Sequence, residues 1–254
     1  MLETHSRDGI RIIEMRRSPA NVLDTELCRA LSEALSEAGT ADGAGATVLT
    51  GSGGVFSAGV DLFRVLETGP DYLPEFLAAL DGLFDTAVAF PRPLVAAIDG
   101  HAIAGGAVLA FACDFRVMAD GPATIGVPEL RVGVPFPCRA LDVVRAAVPA
   151  RHLRETVLMG RVYGAAEAER KGLVDALAPP GALLDRAVEI ARDLCRIPTR
   201  AYAITKRQLA IADRAAGPER VAILDREVEA AWRAEETRAH IRGYLERTLG
   251  KSSR

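Results

Sequence analysis

Two short segments rich in small residues hold the chemistry this sequence can offer. Phe56-Ser57-Ala58-Gly59-Val60-Asp61-Leu62 and Ile98-Asp99-Gly100-His101-Ala102-Ile103-Ala104-Gly105-Gly106-Ala107 each place glycine and alanine where a strand ends and a helix is expected to begin. Backbone N–H groups at such a junction lack intrahelical acceptors and have the positive end of the helix dipole behind them. With no bulky side chain in the way, a ligand oxygen can reach the amide. Two such amides converging on one point make an oxyanion hole. Read singly, each segment is also a tight turn whose glycines only permit close packing; the occurrence of both in one chain favours chemistry.

Other catalytic patterns are missing. Gly51-Ser52-Gly53-Gly54 is not followed by the Gly-Lys-Ser/Thr of a phosphate loop and lacks the three-glycine dinucleotide spacing. No GxSxG nucleophile elbow occurs. His5, His101, His152 and His240 have no metal-binding spacing, so none is assigned chemistry and no metal is expected.

The elements that must position these segments read as an α/β alternation. Ile10–Met15 is an expected strand, followed by a Ser18-Pro19-Ala20-Asn21 turn. Asp24 or Thr25 can cap a helix with the apolar face Leu27, Leu31, Ala34, Leu35, Ala38. Residues 46–50, Leu94–Ile98 and residues 115–118 read as strands, and residues 105–110 as a tightly packed helix. Residues 63–84, with Tyr72, Phe76 and Phe84, read as a loop shaping a pocket. The last third reads as helical: residues 183–212, a break at Gly217-Pro218, a helix through Val221, Val228 and Trp232, and an amphipathic piece with Ile241, Tyr244, Leu245 and Leu249.

Composition excludes several partners. The 254 residues carry a formal net charge of −3, with 49% hydrophobic and 26% charged residues, the balance of a soluble globular protein. A pI near 5.9 and an aromatic content of 5% argue against nucleic-acid binding. Cys28, Cys113, Cys138 and Cys195 show no CxxC spacing, so reduced thiols and a cytoplasmic location are expected. No apolar run reaches the roughly 20 residues that span a bilayer, so no membrane is expected.

Residues 56–62 and 98–114, with Ile125-Gly126-Val127-Pro128-Glu129 downstream, resemble the crotonase (enoyl-CoA hydratase/isomerase) superfamily. The resemblance runs from Ser18-Pro19-Ala20-Asn21 to Tyr244-Leu245-Glu246-Arg247. It implies an α/β fold, a spiral of repeated ββα units over residues 1–195, and a helical C-terminal region at residues 196–254 used for assembly into a trimer or hexamer. It also implies acyl-CoA thioester substrates, with coenzyme A as part of the substrate and no further cofactor. The amides of Val60 and Gly105 would form the oxyanion hole. Ala20, Ala58, Gly59, Asp61, Leu62, Ile103, Gly106, Val108 and Pro128 would contact substrate, and Lys206 would stand near the CoA phosphates unless it merely lies on a solvated helix face. Asp61 and Asp114 fit turn-fixing roles, Asp61 as a helix cap.

Two positions decide the reaction within the superfamily. Hydratases carry one glutamate three residues after the second oxyanion glycine and another in the segment matching Val127-Pro128-Glu129. Here the first position is Val108 and the second is Glu129. One carboxyl group suits the transfer of a double bond from the 3- to the 2-position: it removes a proton next to the thioester and returns it two carbons further on. Gly133-Val134-Pro135-Phe136 and neighbouring stretches are similar to the monofunctional mitochondrial Δ3,Δ2-enoyl-CoA isomerases. Glu129, among Ile125, Val127, Leu130 and Val132, is expected to have a raised pKa; the competing structural role is an ion pair with Arg131 or Arg139. Two other functions stay open: a hydratase with a second carboxylate from Asp99 or residues 66–75, and an acyl-CoA-binding protein without turnover.

Overall fold

Leu94-Val95-Ala96-Ala97-Ile98 is apolar at every position, the pattern of a strand covered on both faces. In the computed structural model, which describes residues 1–41, 45–69, 71–212 and 218–249, all five are buried within a six-stranded sheet. In chain order the strands are β1 (Leu2–Arg7), β2 (Ile10–Met15), β3 (Thr47–Thr50), β4 (Val55–Ser57), β5 (Leu94–Ile98), β6 (His101–Ile103), β7 (Phe115–Ala119), β8 (Thr124–Gly126), β9 (Val162–Gly164) and β10 (Ala176–Ala178). The large sheet has the order β1-β2-β3-β5-β7-β10 and the small one β4-β6-β8-β9. Among the named strands of the described residues, only β1/β2 and β8/β9 pair antiparallel.

The helices are α1 (Thr25–Thr40), α2 (Leu62–Glu67), α3 (Tyr72–Val88), α4 (Gly105–Phe111), α5 (Glu129–Val132), α6 (Cys138–Ala147), α7 (Ala150–Leu158), α8 (Ala165–Lys171), α9 (Leu183–Leu194), α10 (Thr199–Ala212), α11 (Pro218–Arg233) and α12 (Glu235–Leu249). The unit β3-β4-α2 gives one strand to each sheet and then a helix, and β5-β6-α4 and β7-β8-α5 repeat it. This is the expected ββα spiral. Its functional consequence is direct. β4, β6 and β8 are parallel neighbours, with Ser57 opposite Ala102 and Ile103 opposite Gly126. Adjacent strands lie about 4.8 Å apart, so the residues leaving their C-terminal ends, 58–61, 104–105 and 127–129, share one edge.

Apolar side chains sort into two cores. One, with Ile12, Val48, Val95, Val117, Ala187 and Val188, lies between the large sheet and α9. The other and larger one lies between the sheets and α1, α3, α4 and α6. Val228, Trp232, Ile241 and Leu245 of α11 and α12 belong to this larger core, so the C-terminal helices fold back over the ββα repeats.

Two expectations need correction. Residues 63–84 are not a loop: α2 and α3 take most of them, with Leu73, Phe76, Leu80, Leu83 and Phe84 on the buried face of α3. The helical stretch 183–212 is two helices, because Pro198 has no N–H to donate and the chain turns between α9 and α10. Gly217 lies outside the described residues, whereas Pro218 opens α11, where a missing N–H costs nothing. Leu2–Arg7 forms β1, an exposed edge strand with no apolar alternation to announce it.

Candidate active site

Asn21 locks the first amide-bearing turn. Its φ of 49° is unusual outside glycine, though asparagine tolerates it better than most residues. Its Nδ2 donates to the carbonyls of Val55 (2.9 Å) and Phe56 (3.2 Å), and its Oδ1 accepts from Arg17 N (2.8 Å). Ser57 Oγ donates to Asn21 O at 2.7 Å and accepts from Gly59 N at 3.2 Å. Leu23 N donates to Gly59 O, and Asp61 N to Leu23 O. In this parallel bridge Leu23 faces Val60 while bonding to the residues on either side of it. The N–H of Val60 therefore points away from Leu23, free of the ladder. Asp61, as expected, caps α2 by accepting from Arg64 N at 3.0 Å.

The second turn is tighter still. Ala104 has φ 52° and ψ −127°, a conformation that costs an alanine on the order of 1–3 kcal/mol and concentrates at functional sites. It swings the chain from β6 directly into α4. Ala104 N is held by Gly126 O, and the first helical bond runs from Val108 N to Ala104 O. The amide of Gly105 thus precedes the hydrogen-bonded helix and has no intrahelical acceptor. Gly59 has φ +85°, and a Cβ built on it would lie 2.6 Å from Ile103 O and 3.1 Å from Gly105 N. The two turns touch there, and the Val60 and Gly105 amides are neighbours only because Gly59 lacks a side chain. Gly106 serves the same contact: a Cβ on it would overlap Ser57 O.

Glu129 opens α5 and is 8% exposed. Its Oε2 has no hydrogen-bond partner among the described residues. Burial pushes the carboxyl up to about 8, with its own backbone N–H pulling weakly the other way. The ion pairs that would have given it a structural role are not formed: Arg131 Nε donates to Met159 O at 2.8 Å, and Arg139 pairs with Asp85 at 2.8 Å. A buried, unpaired carboxyl is costly to keep.

Two adjoining cavities meet at this edge. The outer one, about 790 Å³, is lined by Ala20, Val22, Val55, Asp61, Phe63, His101, Arg131, Gly160, Arg161, Val162, Leu245 and Thr248. The inner one, about 80 Å³, is lined by Leu80, Phe84, Ala104, Gly105, Val108, Glu129, Val132, Val134, Pro137, Ala140 and Trp232. Ala58, Val60, Leu62, Ile103, Pro128 and Tyr244 line both. Glu129 is the one carboxylate among the inner lining residues, and Val108 presents only methyl groups.

Most residues named from the sequence therefore meet here. Gly59 and Gly106 lie beneath the lining and shape it. Lys206 does not reach either cavity: its Nζ is held 2.9 Å from Asp114 Oδ2, which also accepts from Leu94 N, and it lines a separate cavity with Phe111, Arg116 and Leu209. Nor does Asp99, whose carboxyl, raised by burial, sits at the turn with Gly54. Of the carboxylates between 66 and 75, Glu75 pairs with Arg29, and none lines either cavity. Sequence reading missed Arg131 and Arg161 in the outer wall and Trp232 in the inner one; only the chain's single tryptophan carried a signal worth following. Among the described residues no His/Cys/Asp/Glu group is arranged to hold a metal, the four cysteines are free thiols, and no helix is long and apolar enough to cross a membrane.

The sequence profile for enoyl-CoA hydratase/isomerase matches residues 5–251. A putative enoyl-CoA hydratase of Thermus thermophilus is 38% identical over 197 residues, 76% of each chain. Mouse mitochondrial enoyl-CoA delta isomerase 1 is 28% identical over 211 residues, 82% of this chain and 73% of that one. In fold, the crystal structure of human mitochondrial delta3-delta2-enoyl-CoA isomerase matches with a TM-score of 0.88 at 24% identity, over 99% of each chain. With the profile covering nearly its whole length, this chain belongs to the enoyl-CoA hydratase/isomerase family.

Proposed function

We propose that the protein is an enoyl-CoA isomerase that moves the double bond of a 3-enoyl-CoA to the 2-position, with Glu129 as its single acid/base. The observation that carries this reading is the lone carboxyl group of the inner cavity, facing the turns that hold the Val60 and Gly105 amides. The thioester oxygen sits between those amides, and the outer cavity, with Arg131 and Arg161 in its wall, takes the phosphates of the CoA. Ionised Glu129 removes a proton from C2. The electron pair moves into the C1–C2 bond as the thioester oxygen becomes an enolate conjugated with the C3–C4 double bond. The protonated carboxyl then delivers the same proton to C4, leaving the double bond between C2 and C3. Each preorganised amide donor contributes about 3–4 kcal/mol to the enolate-like transition state.

Substrate and product have the same formula and oxidation level, so the reaction calls for no cofactor beyond the CoA of the substrate. Water addition normally uses two carboxylates on the water, and Val108 and the absence of Asp99 from either lining speak against it. The family's assembly into trimers or hexamers is proposed for this chain as well, as is a cytoplasmic location. The test is turnover of 3-enoyl-CoA esters by the wild type and Glu129→Gln. Isomerisation lost in the variant with CoA-ester binding retained supports the reading; 3-hydroxyacyl-CoA formed from a 2-enoyl-CoA favours a hydratase, and binding without any reaction a silent binder.

A further inference from the structure

Trp232 borders two cavities at once. On one side it lines the inner, Glu129-bearing chamber; on the other it lines a cavity of about 200 Å³ with Val65, Thr68, Gly69, Leu73, Arg233 and Arg238. The indole is 3% exposed, and its Nε1 donates to Pro135 O at 3.0 Å, tying α11 to the segment between α5 and α6. A buried indole with its N–H satisfied is a rigid plate. Leu80, Phe84, Val132, Val134 and Ala140 of the inner lining are apolar and buried, and Trp232 is the residue that the chamber shares with the second cavity.

We infer that Trp232 is the end wall of the acyl chamber and limits the enzyme to short acyl chains. The inference rests on the acyl-CoA reading above. A chamber of about 80 Å³ holds only a few water-sized groups, which fits a short acyl chain. A longer chain has to displace the indole and break its bond to Pro135, or leave methylenes in water. Removing the indole joins the chamber to the neighbouring cavity and extends the path between α2, α3 and α11.

Because Trp232 is the chain's one tryptophan, its fluorescence reports on the wall without turnover. The experiment compares 3-hexenoyl-CoA and 3-dodecenoyl-CoA as substrates, and hexanoyl-CoA and dodecanoyl-CoA as unreactive ligands, for the wild type, Trp232→Ala and Trp232→Phe. In the wild type the six-carbon substrate should win in kcat/KM by about tenfold or more, and hexanoyl-CoA should shift the tryptophan emission. Trp232→Ala should move the ratio at least tenfold toward twelve carbons, while Trp232→Phe, which keeps a plate, should stay near the wild type. Binding of the saturated esters, measured by calorimetry, should follow the same order. Should Trp232→Ala not fold, the wild-type ratio, the emission shift and Trp232→Phe carry the decision. Equal ratios in wild type and folded Trp232→Ala, a twelve-carbon preference in the wild type, or an emission unchanged by hexanoyl-CoA would overturn the inference. If no 3-enoyl ester turns over yet the binding ratios shift as described, the wall stands and the isomerase reading fails.

Discussion

The two adjoining cavities differ in size, lining and partners, and the proposed function divides binding and chemistry between them. The outer one is about 790 Å³, with Asp61, His101, Arg131, Arg161 and Thr248 in its wall; the inner one is about 80 Å³, lined mostly by apolar side chains, with Glu129 its one ionisable carboxyl. Charge near solvent is screened and worth little per group. Charge in a dry chamber is worth far more, and so is its absence. On the proposed mechanism, loss of a side chain from the outer wall weakens a grip, whereas loss of the inner carboxyl abolishes the reaction.

The largest test of that contrast is Glu129→Gln. Turnover of a 3-enoyl-CoA should fall by about 10²–10⁴ while CoA-ester affinity changes little; steady-state kinetics with a parallel binding titration reads both. The wild-type pH profile sharpens it. In the proposed mechanism the base must be ionised, and burial holds the Glu129 carboxyl near 8. kcat/KM should thus climb with pH and level off above about 8, with no falling limb from this group because the same proton is given back. Two carboxylates in opposite protonation states would give a bell instead.

Gly59→Ala comes next, because it strikes the contact on which both turns depend. A methyl group at φ +85° and 2.6 Å from Ile103 O must push β4 and β6 apart. The expected loss is about 10²-fold in kcat, with KM less affected, and a fall in melting temperature corresponding to about 1–3 kcal/mol. Unchanged kcat would mean that the two amides do not act together.

Arg161→Ala tests the outer wall. Arg161 stands 3.4 Å from Glu155 and is 44% exposed. Its loss should raise KM a few-fold, less at high salt, and leave kcat alone; a drop in kcat would erase the division of labour between the cavities.

A smaller effect concerns stability. The Glu129 carboxyl lies near 8 in the folded chain against 4.5 as its ordinary value. The folded state holds the proton more tightly, so stability is greatest at low pH and declines as pH rises toward 8. Glu129→Gln removes that decline and should exceed the wild type by about 2–4 kcal/mol at pH 8, with the gap closing toward pH 5. Denaturant titrations at both pH values measure it.

Legibility followed the range of the forces involved. Asp24 was readable as a cap because its bond to Leu27 N spans three residues, and Leu94–Ile98 as a strand because burial on both faces shows in every residue. Residues 63–84 were not readable as helix: Gly69 and Pro70 break the pattern, and the apolar face of α3 is selected by packing against α1, α4 and α6. Arg131 presented itself as a partner for Glu129, yet its guanidinium turns to Met159 O, a carbonyl 28 residues away. Lys206 was placed by resemblance and is drawn aside by Asp114, 92 residues away.

What the amino-acid order determined by itself is local: where the backbone needs glycine, where a helix starts, and that position 108 holds no carboxylate. Folding in three dimensions decided that the ends of β4, β6 and β8 lie side by side, that Glu129 Oε2 finds no partner among the described residues, and that an indole from α11 borders the chamber. The physical reason is that backbone conformation depends on a residue and its near neighbours. Desolvation and closure depend on side chains brought together from Leu80 to Tyr244.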